Sequence, residues 1–188
     1  MSSIIWQTDK REAFDWAQSE QKPILLDFYH PESIGSQQMK AVTYANRDVS
    51  TFINTYLTPF RLDTSKVPKD PDYHHIWTPT LAVLNPEGRE IQRTTGFLDP
   101  DDFLAVMHLG LAKVRLDAGK YDTAIIPLKS VLETFYHNNY VPEAIYLCGV
   151  TMYKMTKDPG KLKEAYERLR KEYPDHIWTK RADPYRLL

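Results

Sequence analysis

Two hydroxyls stand three residues apart, Ser33 and Ser36, in the stretch Asp27-Phe28-Tyr29-His30-Pro31-Glu32-Ser33-Ile34-Gly35-Ser36. A serine can attack as a nucleophile when a histidine base, an orienting acid and an oxyanion-binding loop surround it. His30 is the nearest candidate base, but no acid or oxyanion loop accompanies it in the sequence. The other chemistry open to Ser33 is capping, in which the hydroxyl accepts hydrogen bonds from the free backbone N–H groups at a helix start. Asp27 interrupts the apolar run Ile24-Leu25-Leu26 and Phe28. Burial there disfavours the charged form and raises the carboxyl pKa, and the residue reads as a buried carboxyl held by hydrogen bonds. His30, His74, His75 and Glu32 are zinc-ligand types. They lack defined ligand spacing, so His74 and His75 read as solvated loop residues, and neither a metal nor a cofactor is expected.

The elements that position these groups follow from hydrophobic periodicity. Residues 8–20 open at Thr8-Asp9 and place Ala13, Phe14, Trp16 and Ala17 on one helical face, with Lys22-Pro23 ending the run. Ile24 to Tyr29 is short and continuously apolar apart from Asp27, the pattern of a buried central strand. A helix opens within 33–36 and continues from Met39 to Tyr44; Val49, Phe52, Ile53 and Tyr56 mark another, and Leu57 to Leu62 a second strand. Residues 64–75, charged and carrying two prolines, read as a surface loop. Leu81–Leu84, the turn Asn85-Pro86-Glu87-Gly88 and Arg89–Thr94 predict a β-hairpin. From Asp99-Pro100 onward the pattern is helical, and only Gly110 interrupts 102–116.

The helical third repeats itself. "AGKYDTAIIPLKSVLETF" aligns with "PGKLKEAYERLRKEY" at an offset that pairs Gly119 with Gly160, Ala124 with Ala165 and Leu128 with Leu169. Two helical units are few for a stacked array, which usually needs about three or a neighbouring surface to bury its apolar faces. The expected division is 1–115 for the mixed domain and 116–188 for the helical region.

Whole-chain composition narrows the function classes. With 24 Lys plus Arg against 25 Asp plus Glu among 188 residues, no net basic field attracts nucleic acid or an anionic membrane. The amino terminus has no basic segment followed by an apolar one, and no stretch reaches membrane-spanning length, so a cytoplasmic setting is expected. The single cysteine, Cys148, excludes an internal disulfide and reads as a small buried hydrophobe.

Taken together these segments resemble the thioredoxin superfamily over about residues 4–115. "ILLDFYHPESIGSQQM" is similar to that family's junction of an apolar, Asp-bearing strand with a Cys-x-x-Cys helix start, and Ser33 and Ser36 occupy the two cysteine positions. "WTPTLAVLNPEG" resembles its cis-proline segment, with Pro79 after Thr78, and "GFLDPDDFLAVM" its final helix. The resemblance implies a thioredoxin-like α/β/α sandwich followed by an all-helical, tetratricopeptide-like region. It implies thiol–disulfide exchange, with Ser33 at the nucleophile position, Ser36 at the resolving position and Asp27 as proton carrier. Trp77, Thr78 and Pro79, with Ile34 and Gly35, would face substrate.

Serine forms neither a thiolate nor a disulfide, so the chain is expected to bind substrate without exchanging disulfides. Two histories fit: a natural binding or chaperone module of the chaperedoxin type, or an enzyme whose cysteines were replaced by their nearest isosteres. The implied partners are disulfide-containing or unfolded proteins and, for a cysteine form, a thioredoxin-reductase-type electron donor. A plain adaptor that uses the helical groove is the third reading.

Overall fold

Strand β1 (Ile24–Tyr29) is the central strand of the computed structural model, which describes residues 3–66 and 73–188. Of the loop expected over 64–75, residues 67–72 lie outside the described residues. β1 is apolar because it is covered along both edges, by parallel β2 (Thr58–Asp63) and antiparallel β3 (Thr80–Leu84). β4 (Glu90–Thr95) extends the hairpin, so the mixed four-stranded sheet runs β2-β1-β3-β4. Gly88 closes the hairpin turn at φ 90°, a left-handed conformation glycine adopts without steric cost.

Period-two alternation sends Ile24, Leu26 and Phe28 to one face of the sheet and Leu25, Asp27 and Tyr29 to the other. The first set packs with Phe60 and with Ala13 and Ala17 of α1 (Lys10–Glu20). Asp9 caps α1 by accepting the Glu12 N–H at 2.9 Å, and Gln21 ends it at φ 53° ahead of Pro23. After β1 come α2 (Ile34–Gln38) and, beyond it, α3 (Arg47–Tyr56), which is capped by Asn46 and packs on β2.

Between α2 and α3 the structure departs from a regular helix. Met39–Thr43 forms a π-helical turn in which the Tyr44 N–H donates to the Met39 carbonyl five residues back, at 2.8 Å. Tertiary bonds hold this wider turn at both ends: the Leu98 N–H donates to Met39 Sδ at 3.4 Å and the Thr43 hydroxyl donates to the Leu98 carbonyl. Periodicity cannot distinguish such a turn from an α-helix, because its cause lies 55 residues away in the chain.

The chain divides into two compact units, residues 1–104 and 105–188, and α4 (Pro100–Asp117) contributes residues to each. The second unit holds α5 (Tyr121–Thr134), α6 (Val141–Thr156), α7 (Gly160–Glu172) and α8 (Ile177–Ala182), making eight α-helices among the described residues. The repeat-paired positions Ala124, Ala165, Leu128 and Leu169 are all buried. Leu128 and Leu169 join Leu109, Val131, Ile145 and Tyr166 in a core built within residues 105–188. Gly149 lets α6 approach α7, since a Cβ there would stand 2.5 Å from that of Ala165. Among the described residues no helix is long and apolar enough to cross a membrane.

Pro127 sits inside α5, where its missing N–H deprives the Thr123 carbonyl of its helical donor. Arg115 of α4 supplies the replacement, donating from Nη1 to that carbonyl at 2.9 Å. Arg115→Ala is expected to destabilise the chain by about 1–2 kcal/mol. In a Pro127→Ala background, where the restored amide takes the carbonyl, the same change should cost well under half as much. Urea midpoints of the four proteins in this cycle give the coupling, and additive effects would refute the exchange of donors.

Candidate functional site

The site begins where β1 runs out. The Ser33 N–H donates to the His30 carbonyl at 3.0 Å, closing a turn that sets Ser33 in an extended conformation just ahead of α2. There its Oγ accepts a long hydrogen bond from the Ser36 N–H at 3.4 Å and donates to the Thr78 carbonyl at 2.8 Å. Ser36 is buried, and its Oγ accepts the His30 N–H at 3.3 Å. Ile34 is 78% exposed. Gly35 lies against Pro79 so closely that a Cβ would stand 2.6 Å from the proline Cδ.

The facing segment comes from the chain entering β3. The Thr78–Pro79 peptide is cis. The Thr80 hydroxyl donates to the Trp77 carbonyl at 2.7 Å, and the Gly96 N–H donates to the Pro79 carbonyl at 2.9 Å. Upstream, Arg93 of β4 donates to the His74 carbonyl while its Nε and Nη2 grip Glu90 at 2.8 and 2.6 Å. Its guanidinium lies over the Phe28 ring, against which His75 also stacks, with ring centroids 5.2 Å apart. Ile76 and Trp77 project outward, 99% and 69% exposed. The structure thus brings Ser33, Gly35, Thr78 and Pro79 into contact and leaves Ile34 and Trp77 on the surface.

Asp27 stands apart from that contact, inside the sheet. It pairs in register with Arg61 of β2, whose Nη2 and Nε reach Asp27 Oδ2 at 2.9 and 3.0 Å. Trp6, Tyr29 and Tyr44 surround the guanidinium, with ring centroids 4.0, 4.9 and 5.1 Å away. Asp27 Oδ1 and the Tyr44 hydroxyl are both buried without a hydrogen-bond partner among the described residues. Burial raises the Asp27 carboxyl above the usual carboxylate range; Arg61 pulls it back, and the Tyr44 phenol beside it pulls in the same direction. Burial, reinforced by Asp27, pushes Tyr44 well above the ordinary phenol value.

The geometry assigns Ser33 a structural hydrogen bond and offers no activating base. The Ser33 proton goes to the Thr78 carbonyl, while His30 Nδ1 accepts the Glu32 N–H at 3.2 Å. No cluster of three His, Cys, Asp or Glu able to hold a metal ion occurs among the described residues. Cys148 lies on α6, distant in sequence from both serines, and burial pushes its thiol up to about 11. Three residues absent from the sequence-based set matter here: Arg61, Tyr44 and Arg93. Arg61 had a readable signal, a lone cation in an otherwise apolar strand that could answer the lone carboxylate of β1.

Comparison with known proteins places this geometry in context. A family profile described as a thioredoxin-like domain matches residues 10–110. A thioredoxin from Thermus thermophilus is 19% identical, covering 63% of this chain and 96% of its own, at a TM-score of 0.52. The DsbD C-terminal domain of Neisseria meningitidis in its reduced form is 25% identical over 50% of this chain and 86% of its own, at 0.42. A poplar thioredoxin h is 16% identical over 53% and 89%, at 0.44. No curated protein matches the sequence significantly.

Asp27 has a definite effect on pH-dependent stability. Its folded pKa lies above the ordinary 3.8, so the folded state holds the proton more tightly than the unfolded one. Its contribution to stability is fully present below 3.8 and is lost as pH rises through the folded pKa. Stability of the wild type relative to Asp27→Asn should therefore fall as pH rises from 3.8 and level off above the folded pKa. Urea unfolding of both proteins across that range measures the difference, and a rise with pH would contradict the assignment.

Proposed function

Because the chain belongs to the thioredoxin-like family, we propose that it binds extended segments of protein substrates across the Ser33–Pro79 surface without exchanging disulfides with them. The observation that carries this reading is the Ser33 hydroxyl, set where the family's attacking thiol would be and donating to the Thr78 carbonyl. Exchange needs an attacking thiolate and a second thiol to resolve the mixed disulfide, and neither serine supplies one. Cys148 is no substitute, being partly buried with a thiol pushed up to about 11.

What remains is a recognition surface. An extended peptide laid beside Thr78 would pair with its backbone in the manner of an added strand. The Thr78 carbonyl has a second lone pair to offer beside the Ser33 hydroxyl. Ile34, Ile76 and Trp77 would supply the apolar contacts, with Trp77 as anchor. Asp27, the proton carrier in the family's exchange reaction, here serves the sheet through Arg61. The expected partners are disulfide-containing or unfolded proteins, and a cysteine form would draw electrons from a thioredoxin-reductase-type donor.

A second reading, a redox-inactive holdase or adaptor that also uses tetratricopeptide-like helices, is favoured by the exposure of Ile34, Ile76 and Trp77 in one region of the first unit. A cytoplasmic setting belongs to the proposal and rests on the single cysteine.

Insulin reduction with dithiothreitol as donor should run at the no-protein rate, and acceleration that survives blocking Cys148 would refute the reading. Ser33→Cys with Ser36→Cys should restore turnover. In the Ser33→Cys single variant, thiolate absorbance should titrate below the free-cysteine value of about 8.5. Binding of a fluorophore-labelled, reduced and unfolded insulin chain, followed by anisotropy in both the parent and Trp77→Ala, should weaken about tenfold on that substitution. Unchanged affinity would move the recognition surface elsewhere.

A further inference from the structure

Whereas Ser33 turns toward Thr78, Ser36 lines a separate cavity of about 490 Å3 on the first unit. Its walls come from the end of β1 (Tyr29, His30 and Pro31), from Ser36 and Gln37 of α2, and from two cations, Lys40 and Arg61. Among the described residues no acidic side chain lines it. Arg61 shares its charge with Asp27 behind the wall, and Lys40 adds a cation on an exposed side chain. The volume lies within the range of small-molecule sites, about 300–1,000 Å3.

The donors on the wall bear on which anion it suits. Arginine recognises a planar carboxylate through a two-pronged fork. Here one proton each of Arg61 Nε and Nη2 is committed to Asp27, at 3.0 and 2.9 Å, which leaves both Nη1 protons and the second Nη2 proton as donors. The other donors on the wall, Lys40, Ser36 and His30, arise from different segments. Ser36 Oγ accepts the His30 N–H and keeps its own proton to donate. His30 Nδ1 accepts the Glu32 N–H, which puts the ring proton of the neutral imidazole on Nε2.

Lys40 is carried by the π-helical turn, a device found often at functional sites. A guanidinium edge, an ammonium, a hydroxyl and an imidazole N–H together offer more donors than the two oxygens of a carboxylate use, which suits the three oxygens of a phosphate monoester. The Tyr29 ring and Pro31 provide an apolar wall beside them.

We propose that this cavity binds a small phosphate monoester, its phosphate held by Lys40, Arg61, Ser36 and His30 and its organic part against Tyr29 and Pro31. The site is independent of the peptide surface at Pro79, and its occupancy can be read without any substrate protein.

Isothermal titration calorimetry of the full chain tests it with phenyl phosphate as probe and with inorganic phosphate and benzoate as comparators. Phenyl phosphate should bind saturably and more tightly than either comparator. Lys40→Gln, on an exposed side chain that the fold does not use, should weaken it about tenfold, while Lys66→Gln leaves it unchanged. Ser36→Ala should weaken it as well. Absence of saturable binding, or binding indifferent to Lys40→Gln, would overturn the site. Benzoate binding as well as phenyl phosphate would overturn the phosphate selectivity, and inorganic phosphate binding equally tightly would overturn the monoester assignment.

Discussion

A carboxylate on the central strand of a sheet must be paired before the sheet can close over it, and Asp27 is paired through Arg61. A charge left alone in such a place costs several kcal/mol, so breaking the pair by removing one partner is expected to cost about 3–5 kcal/mol. The residues meet because β1 and β2 are parallel and in register at that position. Arg61 in turn gathers Trp6, Tyr29 and Tyr44 around its guanidinium, tying the segment ahead of α1, the end of β1 and the residue after the π-helical turn to one cation. The wall of the Ser36 cavity follows from the same commitment, since what Arg61 can offer a ligand is what Asp27 leaves over.

The neighbouring Ser33–Thr78 contact is held by short-range packing on both sides. A hydroxyl is a strong donor and Thr78 offers a carbonyl at 2.8 Å, so the group is held in a neutral hydrogen bond. Gly35 and Pro79 fix the spacing, because any side chain at 35 would collide with the proline ring. Arg93 fixes the approach of the other segment by holding the His74 carbonyl and stacking over Phe28.

Much of this was legible from residue pattern. The apolar run 24–29, the hairpin turn ending in Gly88 and the paired repeats at Leu128 and Leu169 are local signals, and the structure contains the elements they predict. The illegible parts all depend on partners far along the chain. The π-helical turn is held by Leu98, the free carbonyl of Thr123 is met by Arg115, and Arg93 acts on a segment almost twenty residues before it. Periodicity reports which face of an element is buried and is silent on which long polar side chain will reach across to a carbonyl. Arg61 lay between these cases: its burial was readable, its aromatic surroundings were not.

The reluctant thiol on α6 gives the helical unit an internal clock. Burial pushes the Cys148 thiol up to about 11, so at neutral pH it is ionised far less often than a free cysteine. It packs against the core formed by Leu128, Ile145 and Leu169. A thiol reagent will therefore react more slowly with the folded chain than with a free cysteine, and faster when α6 loosens from its neighbours. A chain with one sulfur nucleophile so placed reports the local breathing of its helices without any engineered probe.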